Sequence, residues 1–128
     1  MGTLTDPIVG ARHTQIGGLI VDEIDAGIGR VKRVIYPPGW RWSDEMAEVT
    51  STDTCQHVHV GMLVQGTMLV RFDDGCEVTY TTPSAVVLEP GHDGWVLGDE
   101  AAVLVQVDAG PDTAGRLGLE SLHHTCTG

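Results

Sequence analysis

Short runs of β-branched and apolar residues alternate with turn residues along most of the chain. Such runs occupy positions 18–24, 30–36, 55–66, 67–72, 77–81, 85–88, 94–100 and 102–108. They recur about every 8 to 12 residues with turn signals between them, a spacing typical of a sandwich or barrel. Asp73-Asp74-Gly75 between two runs predicts a hairpin. The pattern therefore predicts an all-β protein, with a weak helical stretch only after residue 110.

Breaks in this pattern predict the remaining segments. Residues 1–15 are polar and interrupted by Pro7 and Gly10, which predicts a loose arm or an edge strand laid on a partner. Pro37-Pro38-Gly39 ends the second run, and the acidic stretch 44–54 is expected to be a loop. The 128 residues are the size of one domain. We expect a single domain over 1–128, with a core at about 16–108 and a tail at 109–128.

Composition and charge narrow the functional classes. With 18 acidic against 7 basic side chains the formal charge is −11, which argues against nucleic-acid binding and against attraction to an anionic membrane. No apolar run approaches the roughly 20 residues that span a bilayer. The N-terminus lacks a secretory pattern, so a cytoplasmic location is expected. Cys55, Cys76 and Cys126 are odd in number and irregularly spaced, which predicts reduced thiols.

The run at 55–66 carries the candidate chemistry. Successive side chains of a strand point to opposite faces, so one face of this strand would carry four potential metal ligands. These are Asp53, Cys55, His57 and His59. The turn Pro90-Gly91 delivers a further imidazole, His92, between two later strands. Three histidines that converge in a barrel suit zinc, copper, iron or nickel, and the same imidazoles could also serve as hydrogen-bonded core residues.

The order of these features over about residues 30–108 resembles the cupin superfamily. Its small barrels carry a first motif ending in a glycine, matched by Gly66, and a second motif with a Pro-x-Gly turn, matched at Pro90. His59 stands where cupins usually have a glutamate ligand, and Gly94 stands where they usually have a histidine. The chain is most similar to a branch marked by Trp-Arg-Trp-Ser (40–43), Cys-x3-His-Val-Gly (55–61), Asp-Asp-Gly (73–75) and Pro-Gly-His-Asp-x-Trp-Val-x-Gly-Asp-Glu (90–100).

The resemblance implies a fold and a site. The fold is a double-stranded β-helix, or jelly-roll, barrel. The site holds one divalent transition metal (Fe, Zn, Ni, Cu or Mn) on His57, His59 and His92, with Cys55 or Asp53 as a further ligand. The implied function is an enzyme acting on a small organic molecule by dioxygenase-like or Lewis-acid chemistry, the latter including isomerases and lyases. The alternative is a non-catalytic cupin, with or without a metal, that binds or senses a small molecule.

Residues around the predicted site complete the hypothesis. Trp40, Trp42, Met62 and Trp95 are the candidate pocket walls. The two tryptophans at 40 and 42 could instead close the end of the barrel, because aromatics usually bury large areas in cores. Asp93 is the candidate acceptor that orients His92, with Glu89 as an alternative. Exposed sheet edges need cover, and many small cupins pair edge strands, so a homodimer is expected.

Overall fold

Nine strands and two short helices form in residues 3–27, 29–52 and 59–108, the part of the chain that the computed structural model describes. The elements are β1 (Arg12–Ile16), β2 (Leu19–Ala26), β3 (Gly29–Tyr36), α1 (Trp42–Glu45), α2 (Ala47–Thr50), β4 (His59–Gln65), β5 (Thr67–Phe72), β6 (Glu77–Thr81), β7 (Ser84–Leu88), β8 (His92–Leu97) and β9 (Ala102–Asp108). The predicted all-β class is confirmed. The expected C-terminal helix lies outside the described residues.

Two antiparallel sheets contain all of these strands. One has six strands in the order β1-β2-β3-β9-β4-β7, and the other has three in the order β6-β5-β8. The buried apolar side chains of the two sheets form one core cluster, which includes Val34, Leu63, Val70 and Leu104. β4 and β8, the two strands that carry the candidate histidines, therefore belong to opposite sheets.

The hairpin predicted at Asp73-Asp74-Gly75 is confirmed. It joins β5 to β6, which pair from Thr67 with Thr81 to Arg71 with Glu77. Asp74 Oδ1 accepts a hydrogen bond from the Cys76 amide at 2.9 Å. A short polar side chain that bonds the backbone two residues later is a common way to fix such a turn.

The N-terminal arm differs from its prediction. β1 pairs with β2 of its own chain, joined by a two-residue turn at Gly17 and Gly18. Both glycines have positive φ, 53° and 79°, a backbone that matches the twist of a tight hairpin. The strand part of this arm, β1, is thus an edge strand of the chain's own sheet. The homodimer stays a prediction.

Two further expectations are wrong. Up to residue 50, the acidic stretch after Trp42 forms two single-turn helices rather than the expected loop. Four-residue helices are too short to show a helical period, although Asp44 and Glu45 suit a helix N-terminus. Cys76 is disulfide-bonded rather than reduced. An odd cysteine count cannot reveal a pairing, and the other two cysteines lie outside the described residues.

Candidate functional site

β4 places His59 on the face that looks into the barrel. Strand alternation puts Leu63, which is fully buried, on the same face and Met62 on the opposite one. Gly61 lies between His59 and Leu63 on the same face and pairs with Gln106 of β9. A Cβ at Gly61 would collide with the carbonyl oxygen of Val105 and lie 2.7 Å from Gln106 Cα. The glycine therefore allows β9 to approach β4 closely beside His59.

Gln106 holds one ring nitrogen of His59. Its Oε1 lies 2.8 Å from His59 Nδ1. A carbonyl-type oxygen only accepts hydrogen bonds, so Nδ1 is the donor in this pair. In the neutral form of such an imidazole the lone pair lies on Nε2. Gln106, itself only 6% exposed, thus fixes both the tautomer and the orientation of His59.

The Pro90-Gly91 turn fixes the tautomer and the orientation of His92. Gly91 has a φ of 90°, a left-handed conformation that favours glycine. The turn brings the backbone carbonyl of Glu89 to 2.8 Å from His92 Nδ1. His92 is 4% exposed and pairs with Phe72 of β5, whose ring lies edge-on to the imidazole. The lone pair of neutral His92 is therefore also on Nε2.

The two imidazoles face each other across the barrel. Their ring centroids are 5.1 Å apart, with an interplanar angle of 66°. One ring comes from the six-stranded sheet and the other from the three-stranded sheet. Both line a partly open cavity of about 120 Å³, whose walls come from both sheets. The structure therefore brings together two of the three histidines predicted as a metal site.

The other predicted ligands cannot be placed. His57, Cys55 and Asp53 lie outside the described residues. Among residues 3–27, 29–52 and 59–108, no three His, Cys, Asp or Glu side chains come close enough to form a metal-binding group. The described site is thus a histidine pair, which fits a metal as part of a ligand set.

The cavity walls are apolar and aromatic. Trp40 and Trp42, both buried, line the cavity as the sequence predicted for pocket walls. Trp40 donates its indole N–H to the Gly17 carbonyl at 2.7 Å. This bond satisfies the polar edge of the ring, so Trp40 can pack its apolar surface in the core. The bond also ties the β1–β2 turn to this wall of the cavity.

Two predicted pocket residues lie elsewhere. Met62 is 58% exposed and faces away from the cavity, because it has the opposite strand parity to His59 and Leu63. Trp95 likewise alternates with His92 and Gly94, which do line the cavity. Its ring instead lies 4.6 Å beneath the guanidinium carbon of Arg41. These two predictions are wrong because they rested on nearness in sequence to the histidines. The face of the strand decides which side chains reach the cavity.

Asp93 does not orient His92. Its carboxylate accepts hydrogen bonds from the side chain of Arg41 at 3.2 Å and from the backbone amides of Ser43 and Gly94. Asp93 therefore anchors the start of α1 to β8. The Glu89 carbonyl, not a carboxylate, holds His92.

Sequence reasoning missed Gln106 and two tyrosines that line the cavity, Tyr36 and Tyr80. Gln106 is a polar residue inside an apolar strand, and it shares strand parity with Leu104, which lines the cavity. That interruption was the available signal. Burial, followed by the negative charge of Glu89, raises the pKa of the Tyr80 phenol above its ordinary value. Tyr80 therefore stays a neutral hydroxyl at physiological pH.

Solved structures identify the fold as a cupin barrel. A Cupin 2 conserved barrel domain protein from Salinispora arenicola superposes with a TM-score of 0.59 at 14% identity, covering 92% of this chain and 98% of that one. A cupin-2 domain from Rhodospirillum rubrum gives 0.57 at 15% identity over 83% of this chain and 74% of that one. The predicted jelly-roll architecture is thereby confirmed.

An enzyme also shares the fold. Hydroxypropylphosphonic acid epoxidase from S. wedmorenis, solved with fosfomycin, superposes with a TM-score of 0.55 at 10% identity, covering 78% of this chain and 56% of that one. Such low identities establish the fold and leave the activity to the site itself. No family model and no curated protein sequence matches the chain. Within the described residues, no helix is long and apolar enough to cross a membrane.

Proposed function

We propose that this protein binds a divalent transition metal inside its barrel and acts there on a small organic molecule. His59 and His92 would hold the metal, with His57 as a third ligand and Cys55 or Asp53 as a further one. The observation that carries the proposal is the facing pair of imidazoles, each with its Nδ1 bonded to a carbonyl oxygen.

The second partner of each imidazole supports metal binding. Histidines that bind metals almost always donate their other ring N–H to a carboxylate, a carbonyl oxygen or water. Here Gln106 and the Glu89 carbonyl fill that role. Imidazole nitrogens suit iron, zinc, nickel and copper in particular. A bound ion would supply Lewis-acid polarisation or, if redox-active, activation of dioxygen.

The protein's own contribution is orientation and exclusion of water. Gln106 and Glu89 fix both rings before anything binds, so little reorganisation is needed. Trp40 and Trp42 cover part of the cavity with buried indoles. Electrostatic interactions between bound groups are stronger in such an apolar enclosure than in water.

Metal analysis of the untagged protein, purified without chelator, tests the proposal. We expect about one equivalent of metal per chain, because one histidine set can form one mononuclear site. His59→Ala and His92→Ala should lose the metal. His13→Ala is the matched control, since His13 is half-exposed and bonds Asp22 instead. Retention of metal in both site variants would overturn the ligand assignment.

A second function has its own supporting observation. The cavity lining is almost entirely apolar, and the described residues contribute two imidazoles rather than a full ligand set. A metal-free cupin that binds or senses a small molecule would use the same imidazoles as hydrogen-bond partners. Wild-type protein that takes up no metal even after reconstitution would favour this function over the first.

A further inference from the structure

The described lining of the cavity contains no charged side chain. Its aliphatic part comes from both sheets: Leu19, Leu63, Val70, Val86, Leu88 and Leu104. Tyrosine, tryptophan and methionine side chains supply most of the remainder. A charged organic ligand between these walls would lose its hydration without gaining an opposite charge from the described side chains. Without a bound metal, the described lining therefore disfavours organic ions of either sign.

The volume of the cavity suits a ligand about the size of a single small ring. The cavity measures about 120 Å³. Apolar cavities of about 150 Å³ stay dry and bind benzene in other proteins. The formal charge of −11 on the whole chain adds a long-range repulsion of anions. Size, lining and net charge thus point to the same kind of molecule.

Gly94 creates part of this space. It lies two residues after His92 on the same face of β8 and lines the cavity. A Cβ there would lie 3.6 Å from the carbonyl oxygen of Leu69 and 3.9 Å from Val70 Cγ2, which are ordinary contacts. The backbone would accept a side chain at this position, and that side chain would point into the cavity.

We propose that the ligand of this cavity is an uncharged, largely apolar molecule about the size of a benzene ring, with one or two polar atoms. The polar atoms would meet the imidazoles or the Tyr80 hydroxyl, which are among the polar groups of the described lining. The inference rests on the proposed function only in taking this cavity as the ligand site. Metal-dependent chemistry is not required for such a molecule to bind.

Calorimetric titration of the full chain tests the ligand class. Toluene and phenol are the neutral probes, benzoate is the charged probe of similar shape, and 1-naphthol is the size probe. Each is measured with chelator-treated protein and again with metal-loaded protein. We expect toluene and phenol to bind the metal-free form at least roughly 30-fold more tightly than benzoate, because benzoate would bury an unpaired charge there. A bound metal would pair with the carboxylate, so this preference should shrink in the metal-loaded form. The larger 1-naphthol should bind more weakly than phenol.

Gly94→Leu and Gly94→Ala locate the binding. The leucine should fill the cavity and abolish toluene binding, while the alanine should weaken it only partly. Near-ultraviolet circular dichroism confirms that both variants are folded. No toluene or phenol binding to folded wild-type protein, or equal binding to Gly94→Leu, would overturn the inference. So would preferential binding of benzoate to the metal-free form.

The two proposals fail separately. A protein that binds toluene but never a metal loses the metal site and keeps the ligand class. A protein that holds a metal but, when metal-free, binds neither toluene nor phenol keeps the metal site and loses the ligand class.

Discussion

Two histidine clusters lie on opposite faces of the six-stranded sheet, and they differ in what the imidazole meets. On the cavity face, Nδ1 of His59 lies 2.8 Å from the amide oxygen of Gln106. On the outer face, Nδ1 of His13 lies 3.0 Å from the carboxylate of Asp22, which also pairs with Arg33 at 2.9 Å. One imidazole is held by a neutral acceptor and the other joins a charged network.

The charged network organises the N-terminal segment. Arg33 donates to the carbonyl oxygens of Leu4 at 2.9 Å and Asp6 at 2.6 Å. Asp22 accepts the backbone N–H of Ile8 at 2.7 Å. Both charged side chains are buried, at 2% exposure for Asp22 and 7% for Arg33.

The surroundings of the ring, rather than the acceptor alone, distinguish the structural histidine from the candidate ligands. His13 is half-exposed in a charged network, whereas His59 and His92 face each other and line the cavity. A carboxylate and a guanidinium on the outer face tie three strands and the N-terminal segment together. On the cavity face, carbonyl oxygens orient the rings without adding charge.

Asp22→Ala should have the largest effect. It leaves the buried Arg33 guanidinium without its carboxylate, and breaking a buried ion pair in this way is strongly destabilising. Because the partner imidazole of His13 remains half-exposed, we expect a loss near the lower end of that range, about 3 kcal/mol in the free energy of unfolding. Urea denaturation measures it.

Asp25→Ala is the matched control. Asp25 pairs with Arg12 on the same sheet, but its side chain is 71% exposed. Exposed ion pairs contribute little, so this variant should unfold near the wild-type midpoint. Equal effects of the two substitutions would show that burial does not distinguish the clusters.

Gly61→Ala should have the second-largest effect on the free energy of unfolding, and it acts on the cavity face. The new Cβ would press on the backbone of β9 at Val105 and Gln106, which cannot move aside like a flexible side chain. We expect a loss of about 2 kcal/mol in unfolding free energy, within the usual cost of overpacking. Gly94→Ala is the control, since its Cβ meets only ordinary contacts. A wild-type stability for Gly61→Ala would contradict the close approach of β4 and β9.

Gln106→Leu should weaken metal binding without removing a ligand. The leucine cannot accept the His59 N–H, so the ring loses its fixed orientation. Loss of such an orienting partner typically costs about 10-fold to 100-fold in metal affinity. Gln106→Glu keeps an acceptor oxygen and should restore most of the affinity. Competition with a chromophoric chelator measures both, and an unchanged affinity in Gln106→Leu would remove Gln106 from the site.

The strands and the histidine pair were predictable because each depends on local rules. Alternating β-branched runs and an Asp-Asp-Gly turn specify strands and a hairpin wherever they occur. Pro90-Gly91 places His92 at the start of a strand for the same reason. Parity within β4 also predicts the inward direction of His59.

The partners of these residues were not predictable, because they are fixed by pairing between distant strands. Gln106 meets His59 only because β9 lies beside β4. The pairing of Asp22 with Arg33 likewise needs the register of β2 on β3. Met62 and Trp95 were wrongly predicted to line the cavity. Each has the opposite strand parity to the histidine on its own strand, and that parity would have excluded both.

The smallest expected effect is a loss of stability at acid pH. It comes from the outer-face cluster of His13, Asp22 and Arg33. Burial alone would raise the pKa of Asp22, but the hydrogen bonds from His13 and the Ile8 amide, together with the charge of Arg33, lower it below its ordinary value of 3.8. A carboxylate with a lowered pKa stabilises the folded state above that ordinary value and loses the contribution as pH falls through the folded pKa. The free energy of unfolding should therefore fall as the pH drops below about 4. In Asp22→Asn this acid decline should be shallower, because an amide does not take up the proton that Asp22 binds as the pH falls. Urea midpoints collected from pH 2 to pH 6 compare the two proteins, and parallel curves would assign the acid sensitivity to groups other than Asp22.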